Sequence, residues 1–265
     1  MAAISPFEEP PRQEFARCWL PAPHRQELVY RVAGKGQPVV FLHGLWNSSA
    51  VWKRAIDLFS PHYRLHAPDL PGHGQSPARL PWRLREVKEM LAAWMRSLKL
   101  PSATLVGHSM GGALAIMLAA TEPQLVERLV LVNSVGVPMQ FPFLRKLMHA
   151  GQGLANHPHL RYASHYGSQR YLQSLAIWQA TDEVLACDLR DELPLVRCPT
   201  LIIWGMHDPL LPVQSAVALQ RSIQGAELVM LPNARHHPSR QVPATFDAIL
   251  EDFLGRQDAS DQAAR

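Results

Sequence analysis

Ser109 lies in the pentapeptide Gly107-His108-Ser109-Met110-Gly111, a Gly-x-Ser-x-Gly arrangement. The apolar run "ATLV" precedes it and "GGALAIMLAA" follows. That order reads as a buried strand, a sharp turn and an apolar helix. The turn is so tight that side chains at positions 107 and 111 would strike neighbouring backbone, which accounts for the two glycines. The serine hydroxyl is then forced into the open at the carboxyl end of the strand, and the start of the helix favours negative charge beside it. Such a serine is placed for nucleophilic attack and a covalent intermediate. The plainer alternative is a glycine-rich turn with an incidental serine.

A serine hydroxyl is a weak nucleophile at neutral pH and needs a base, itself oriented by an acid. Two adjacent histidines, His236 and His237, occupy "LPNARHHPSR" (231–240). Asp208 stands in "WGMHDPLLP", just after a strand; its plain reading is a turn or cap residue before Pro209. Asp182, Glu183, Asp188 and Asp191 read as a solvated helix face. His157 and His159 have no carboxylate or cysteine spaced to complete a metal site, so a surface loop is expected there. "GKGQP" precedes a strand and is not a phosphate-binding fingerprint.

The elements that must position these residues alternate. "QELVYRVAG", "VVFLHG", "YRLHAP", "SATLVGHS", "VERLVLVNS", "CPTLIIWG" and "AELVMLP" read as strands. "SSAVWKRAIDLFS", "WRLREVKEMLAAWMRSLKL", "MGGALAIMLAATEP", "PVQSAVALQRSI" and "VPATFDAILEDFLG" read as helices between or after them. Several strands are apolar runs without alternation, as in strands covered on both faces. The expected class is α/β, a mostly parallel doubly wound sheet flanked by helices. Residues 1–24 read as an N-terminal arm, 25–135 and 192–255 as two parts of one core domain, and 256–265 as a disordered tail. Residues 136–191 break the alternation, with helical stretches and no convincing strand, and read as a helical insert.

Five ordered motifs, "FLHGLW", "DLPGHGQS", "GHSMGG", "CPTLIIWGMHDPLLP" and "ARHHPSRQVPATFDAILEDFL", together resemble the α/β-hydrolase-fold family of small serine esterases and related hydrolases. The resemblance spans 28–254. It implies a triad in the chain order serine, acid, histidine: Ser109, Asp208 and His236. Some family members carry the acid after the preceding core strand; here that position is Asn133, which has no charge. The family spacing back from Pro243 lands on His236, with His237 as the alternative. The departure is Arg235, where the family usually has a glycine tolerant of positive φ. The resemblance also implies an oxyanion hole from the backbone N–H groups of Met110 and Leu45, with Trp46 the runner-up to Leu45. His43, His73 and His108 are expected to be structural.

The insert falls where the family forms a lid. Its Phe141 and Phe143, with Trp46 from the core, are candidates to line an apolar substrate pocket; plain packing is the alternative. The activity implied is hydrolysis of small to medium hydrophobic carboxylic esters through an acyl-enzyme, without cofactor or metal. The same triad also serves C–C bond, thioester or perhydrolysis chemistry, and a hydrolase-fold ligand receptor is a further alternative. Carboxylate-nucleophile relatives such as epoxide hydrolases and haloalkane dehalogenases are disfavoured by the serine at 109.

The bulk properties agree. At 265 residues, 47% hydrophobic and 18% charged, the chain has the makeup of one globular domain. Its net charge of +4 comes mostly from isolated arginines, so neither a nucleic-acid nor a membrane partner is expected, only a small-molecule substrate. Cys18, Cys187 and Cys198 form no disulfide or metal pattern. With no apolar leader or span, a cytoplasmic location is expected.

Overall fold

A computed structural model of the protein describes residues 13–138 and 168–256. Eight strands form one sheet: β1 (Glu14–Leu20), β2 (Gln26–Ala33), β3 (Pro38–Leu42), β4 (Arg64–Pro68), β5 (Ala103–His108), β6 (Val126–Val132), β7 (Thr200–Gly205) and β8 (Glu227–Leu231). Their order is β1-β2-β4-β3-β5-β6-β7-β8. β2 runs antiparallel to β1 and β4; the other neighbours pair in parallel. The described helices include α1 (Lys53–Phe59), α2 (Leu84–Ser97), α3 (Met110–Thr121), α4 (Ser168–Leu185), α5 (Val213–Ser222), α6 (Pro238–Gln241) and α7 (Pro243–Gly255). The doubly wound α/β architecture is the one expected.

The uninterrupted apolar strands divide their side chains between two cores. Leu129, Leu131, Ile202 and Trp204 join the core with Leu91 and Trp94 of α2 and Leu114 of α3. Val130, Val132, Leu201 and Ile203 join the opposite core with Ile56 of α1 and Phe246 and Leu250 of α7. Successive side chains of a strand point to opposite faces, so a strand sandwiched between helix layers must be apolar at every position.

The arm expected over 1–24 needs correction. Glu14–Leu20 is an edge strand of the sheet, paired in register from Glu14 opposite Val32 to Leu20 opposite Gln26. At the other end, Arg256 closes the described chain and its guanidinium pairs with Glu227 and Asp252; the rest of the tail lies outside the described residues.

Gly136 and Leu189, near the two ends of the segment expected as an insert, meet: Leu189 N–H donates to Gly136 O at 3.0 Å. The segment's described helix, α4, is fastened to the core. Gln179 Oε1 accepts the Trp82 N–H at 2.6 Å, and Glu183 Oε2 accepts the Leu84 N–H at 3.0 Å. Glu183 therefore caps the first turn of α2 and is not part of a solvated face; Asp182, Asp188 and Asp191 are exposed as expected. Among the described residues no helix is long and apolar enough to cross a membrane.

Candidate active site

In a parallel sheet the carboxyl ends of neighbouring strands share one edge. Here that edge gathers the loops after β3, β5, β6 and β7, and with them residues 43–47, Ser109, Asn133 and Asp208.

Ser109 follows β5 and caps α3 with φ 53° and ψ −116°, a conformation that costs an L-residue about 1–3 kcal/mol. Close packing and hydrogen bonds hold it there. A Cβ on Gly107 would lie 2.5 Å from Gly111 O, and one on Gly111 would lie 2.4 Å from Leu42 O. Both glycines are therefore demanded by close approach, as the motif predicts. Ser109 N–H donates to Val132 O at 3.1 Å, while Ser109 O accepts from Gly112 at 3.0 Å and Val135 at 3.2 Å. Met110 opens α3, so its N–H has no acceptor within the helix.

Asp208 and His236 meet directly. His236 Nδ1 lies 2.7 Å from Asp208 Oδ2, and the Asp208 side chain is 1% exposed. Asp208 Oδ1 accepts the N–H groups of Leu210 at 2.8 Å and Leu211 at 3.1 Å. The turn-residue reading of Asp208 thus holds alongside its contact with the histidine: one carboxylate oxygen shapes the turn, the other receives the imidazole. A carboxylate can only accept, so Nδ1 carries a proton, and in the neutral tautomer this selects it is Nε2 that has the lone pair.

His108, next to Ser109, ties the histidine loop to β5. Its Nε2 lies 2.7 Å from His236 O. The rings of His108 and His236 are 4.8 Å apart, and His237 completes the cluster at 4.6 Å from His108 and 5.1 Å from His236. Burial, then the neighbouring His236, pushes both His108 and His237 below the usual histidine range. His108 and His237 are thereby held neutral around His236. Arg235 stands where the family usually has a glycine. It has no positive φ, and its N–H is held by Gln241 Oε1 at 2.8 Å.

On the β3 side, His43 is buried and organises the loop, as expected. Its Nε2 accepts the Leu70 N–H at 3.0 Å, so Nδ1 carries the proton and donates to Gly44 O at 2.8 Å. Burial pushes His43 down to about 3, which keeps this tautomer neutral. With Gly44 O drawn to His43, the Leu45 N–H points the opposite way across the same trans peptide unit. Gly44 packs on the serine: a Cβ there would fall 3.1 Å from Ser109 Cβ and 2.9 Å from His108 Nδ1. Leu45 is half-buried. Trp46 has φ 59° and is 59% exposed, with Trp178 of α4 edge-on to it at 6.5 Å between ring centroids. Phe141 and Phe143 lie outside the described residues, as do His157 and His159.

Other candidate nucleophiles are muted. Burial pushes the Cys187 thiol up to about 12 and Cys198 up to about 11, so both stay protonated at neutral pH. Among the described residues no three His, Cys, Asp or Glu side chains are grouped to hold a metal ion.

Sequence reasoning missed Asn133. It appeared only as an acid position left without charge, yet its Nδ2 lies 2.5 Å from Asp208 Oδ2. The available signal was a polar, hydrogen-bonding residue directly after a buried strand at the site edge.

Comparison with known proteins agrees with this architecture. The family model described as alpha/beta hydrolase fold matches residues 37–159. A pimeloyl-[acyl-carrier protein] methyl ester esterase of Aeromonas hydrophila is 30% identical over 84% of this chain and 97% of its own. Among solved structures, an alpha/beta hydrolase enzyme from a Medee basin deep-sea metagenome library is 26% identical, with a TM-score of 0.74 over 88% of this chain and 96% of that one. An esterase from Exiguobacterium antarcticum superposes with a TM-score of 0.78 over 89% of this chain and 98% of that one, at 22% identity, a likeness of fold. The chain belongs to the α/β-hydrolase-fold family and is a hydrolase.

Proposed function

We propose that this hydrolase cleaves carboxylic esters with Ser109 as nucleophile, His236 as general base and Asp208 as its orienting acid. The observation that carries the reading is the 2.7 Å contact between His236 Nδ1 and Asp208 Oδ2, which leaves Nε2 free to take a proton. Ser109 Oγ attacks the ester carbonyl carbon and its proton passes to His236 Nε2. The N–H groups of Leu45 and Met110 receive the negative oxygen of the tetrahedral intermediate. Collapse expels the alcohol, which takes the proton from His236, and leaves the acyl group on Ser109. Water, deprotonated by the same histidine, then attacks the acyl carbon; the bond to Ser109 Oγ breaks, Oγ takes the proton back from His236, and the acid is released. Every proton moves between these groups and the substrate, so the reading calls for no cofactor.

The Aeromonas esterase's name gives a methyl ester as its substrate; for this chain that supports the bond, a carboxylic ester, and not the acyl group. We take small to medium hydrophobic esters as the substrates, with Trp46 and the insert forming the acyl side. Free Cys18, Cys187 and Cys198 fit action in the reducing cytoplasm.

The test is a panel of p-nitrophenyl esters of graded chain length with His236→Ala and His237→Ala. His236→Ala should lose roughly 10³-fold or more in kcat, as losing the base of a triad implies. His237→Ala should lose far less. The reverse order would move the base by one residue and undo this assignment.

A further inference from the structure

We infer that Asn133 is a positioning residue for Asp208: its amide anchors the carboxylate that meets His236. Asn133 follows the last residue of β6, is 0% exposed and takes φ 39°, a left-handed conformation that Asn and Asp adopt more readily than most residues. The orientation of its amide is settled by its neighbours. Gly205 N–H can only donate, and it meets the amide oxygen at 3.0 Å. The NH2 group must therefore face Asp208, where it donates to Oδ2 at 2.5 Å. The backbone N–H of Asn133 donates to Ile203 O at 3.0 Å. The end of β6 is thus joined to the end of β7 at Ile203 and Gly205, and from there to Asp208 just beyond.

Asp208 Oδ2 consequently has two donors, Asn133 Nδ2 and His236 Nδ1, and Oδ1 has two more, Leu210 N–H and Leu211 N–H. These four bonds fill the acceptor positions of the carboxylate. It cannot rotate away from His236 without breaking the Asn133 contact in the buried strand ends. His236 faces Asp208 from the β7 loop, His108 from β5 and His237 from its own loop; the latter two are neutral, so the charge it meets is that of Asp208.

Asn133→Asp separates holding from packing. It matches asparagine in size, tolerates the same φ, and keeps an oxygen for Gly205 N–H. It also puts an oxygen in place of the donor beside Asp208 Oδ2. Two carboxyl groups that close share a proton at low pH and repel when both ionise. The added negative charge near His236 should move the acid limb of the kcat/KM profile upward by about one pH unit. The downfield proton resonance of His236 Nδ1–H should move as well. The rate readout rests on the Ser109 triad reading; the resonance does not. A shifted resonance in a chain whose Ser109→Ala variant still turns over would uphold this inference and sink the proposed mechanism. A pH profile and resonance identical to wild type, with only lowered thermal stability, would make Asn133 a strand clamp and overturn the inference. If Asn133→Asp does not fold, Asn133→Gly, which accepts the same φ, should lower kcat about ten- to a hundredfold with KM little changed, the worth of a charged hydrogen bond. An unchanged kcat in that variant overturns the inference too.

Discussion

His108 Nε2 lies 2.7 Å from the carbonyl oxygen of His236. The residue before the proposed nucleophile thus fastens the backbone of the proposed base. Since a carbonyl accepts, His108 carries its proton on Nε2, and its other nitrogen faces Gly44 in the loop after β3. One buried imidazole therefore touches the loops that carry the proposed nucleophile, the proposed base and the proposed oxyanion donor Leu45.

Replacing His108 with Ala should lower kcat by about 10²-fold, the cost of misplacing reacting groups by roughly 1 Å, while KM changes little. Steady-state kinetics on a short p-nitrophenyl ester checks this. An equal rise in KM with kcat intact would mean that His108 shapes the pocket and not the base.

Trp46 and Trp178 join the loop after β3 to α4, edge to face at 6.5 Å. Trp178→Ala should change the preference between short and long acyl chains by about 1–3 kcal/mol in kcat/KM, the usual effect of reshaping an apolar pocket. Comparing acetate with octanoate esters measures it. Equal losses on both would assign the pair to packing of α4. The same comparison applied to Phe141→Ala and Phe143→Ala tests their proposed place on the acyl side.

Among the described residues five histidines are held neutral by burial: His43 is pushed down to about 3, His66 to about 4, and His73, His108 and His237 are also lowered. Their folded values lie below the unfolded value of about 6.5, so the unfolded chain binds more protons below that pH. Stability is then full above about pH 6.5 and falls as pH drops toward the folded values. Among the described residues neither ring nitrogen of His66 has a hydrogen-bond partner, and the ring packs against Tyr30 and Trp94. His66→Leu should therefore raise the melting temperature, and more at pH 5 than at pH 8. The same difference at both pH values would remove His66 from the acid sensitivity.

The glycines made Ser109 legible in the sequence. Gly107 is dictated by contacts with Gly111 and Gly112 within the turn itself, and Gly111 by the backbone of Leu42 and His43 at the end of β3; the short motif carries both glycines even though only the first has its whole reason inside the window. Asp208 and His236 lack such a window; they meet across 28 positions, and only the order of motifs in a known family connected them. Asn133 was passed over because an uncharged residue was weighed as a missing acid, whereas its role is to donate to an acid 75 positions away. β1 was hidden for a different reason. Ala16, Cys18 and Leu20 pack inward, but Phe15 and Trp19 on the other face are apolar and exposed, so the polar–apolar alternation of an edge strand is blurred. Glu183 looked solvated because its partner, the first turn of α2, is 99 positions away.

The central claim is that Ser109 is the nucleophile, and covalent labelling tests it most directly. The protein is treated with a fluorophosphonate and the adduct is located by peptide mass spectrometry. One adduct is expected, on Ser109, formed only while His236 is intact and absent from Ser109→Ala together with nearly all esterase activity. An adduct on another residue, or turnover surviving in Ser109→Ala, would contradict it.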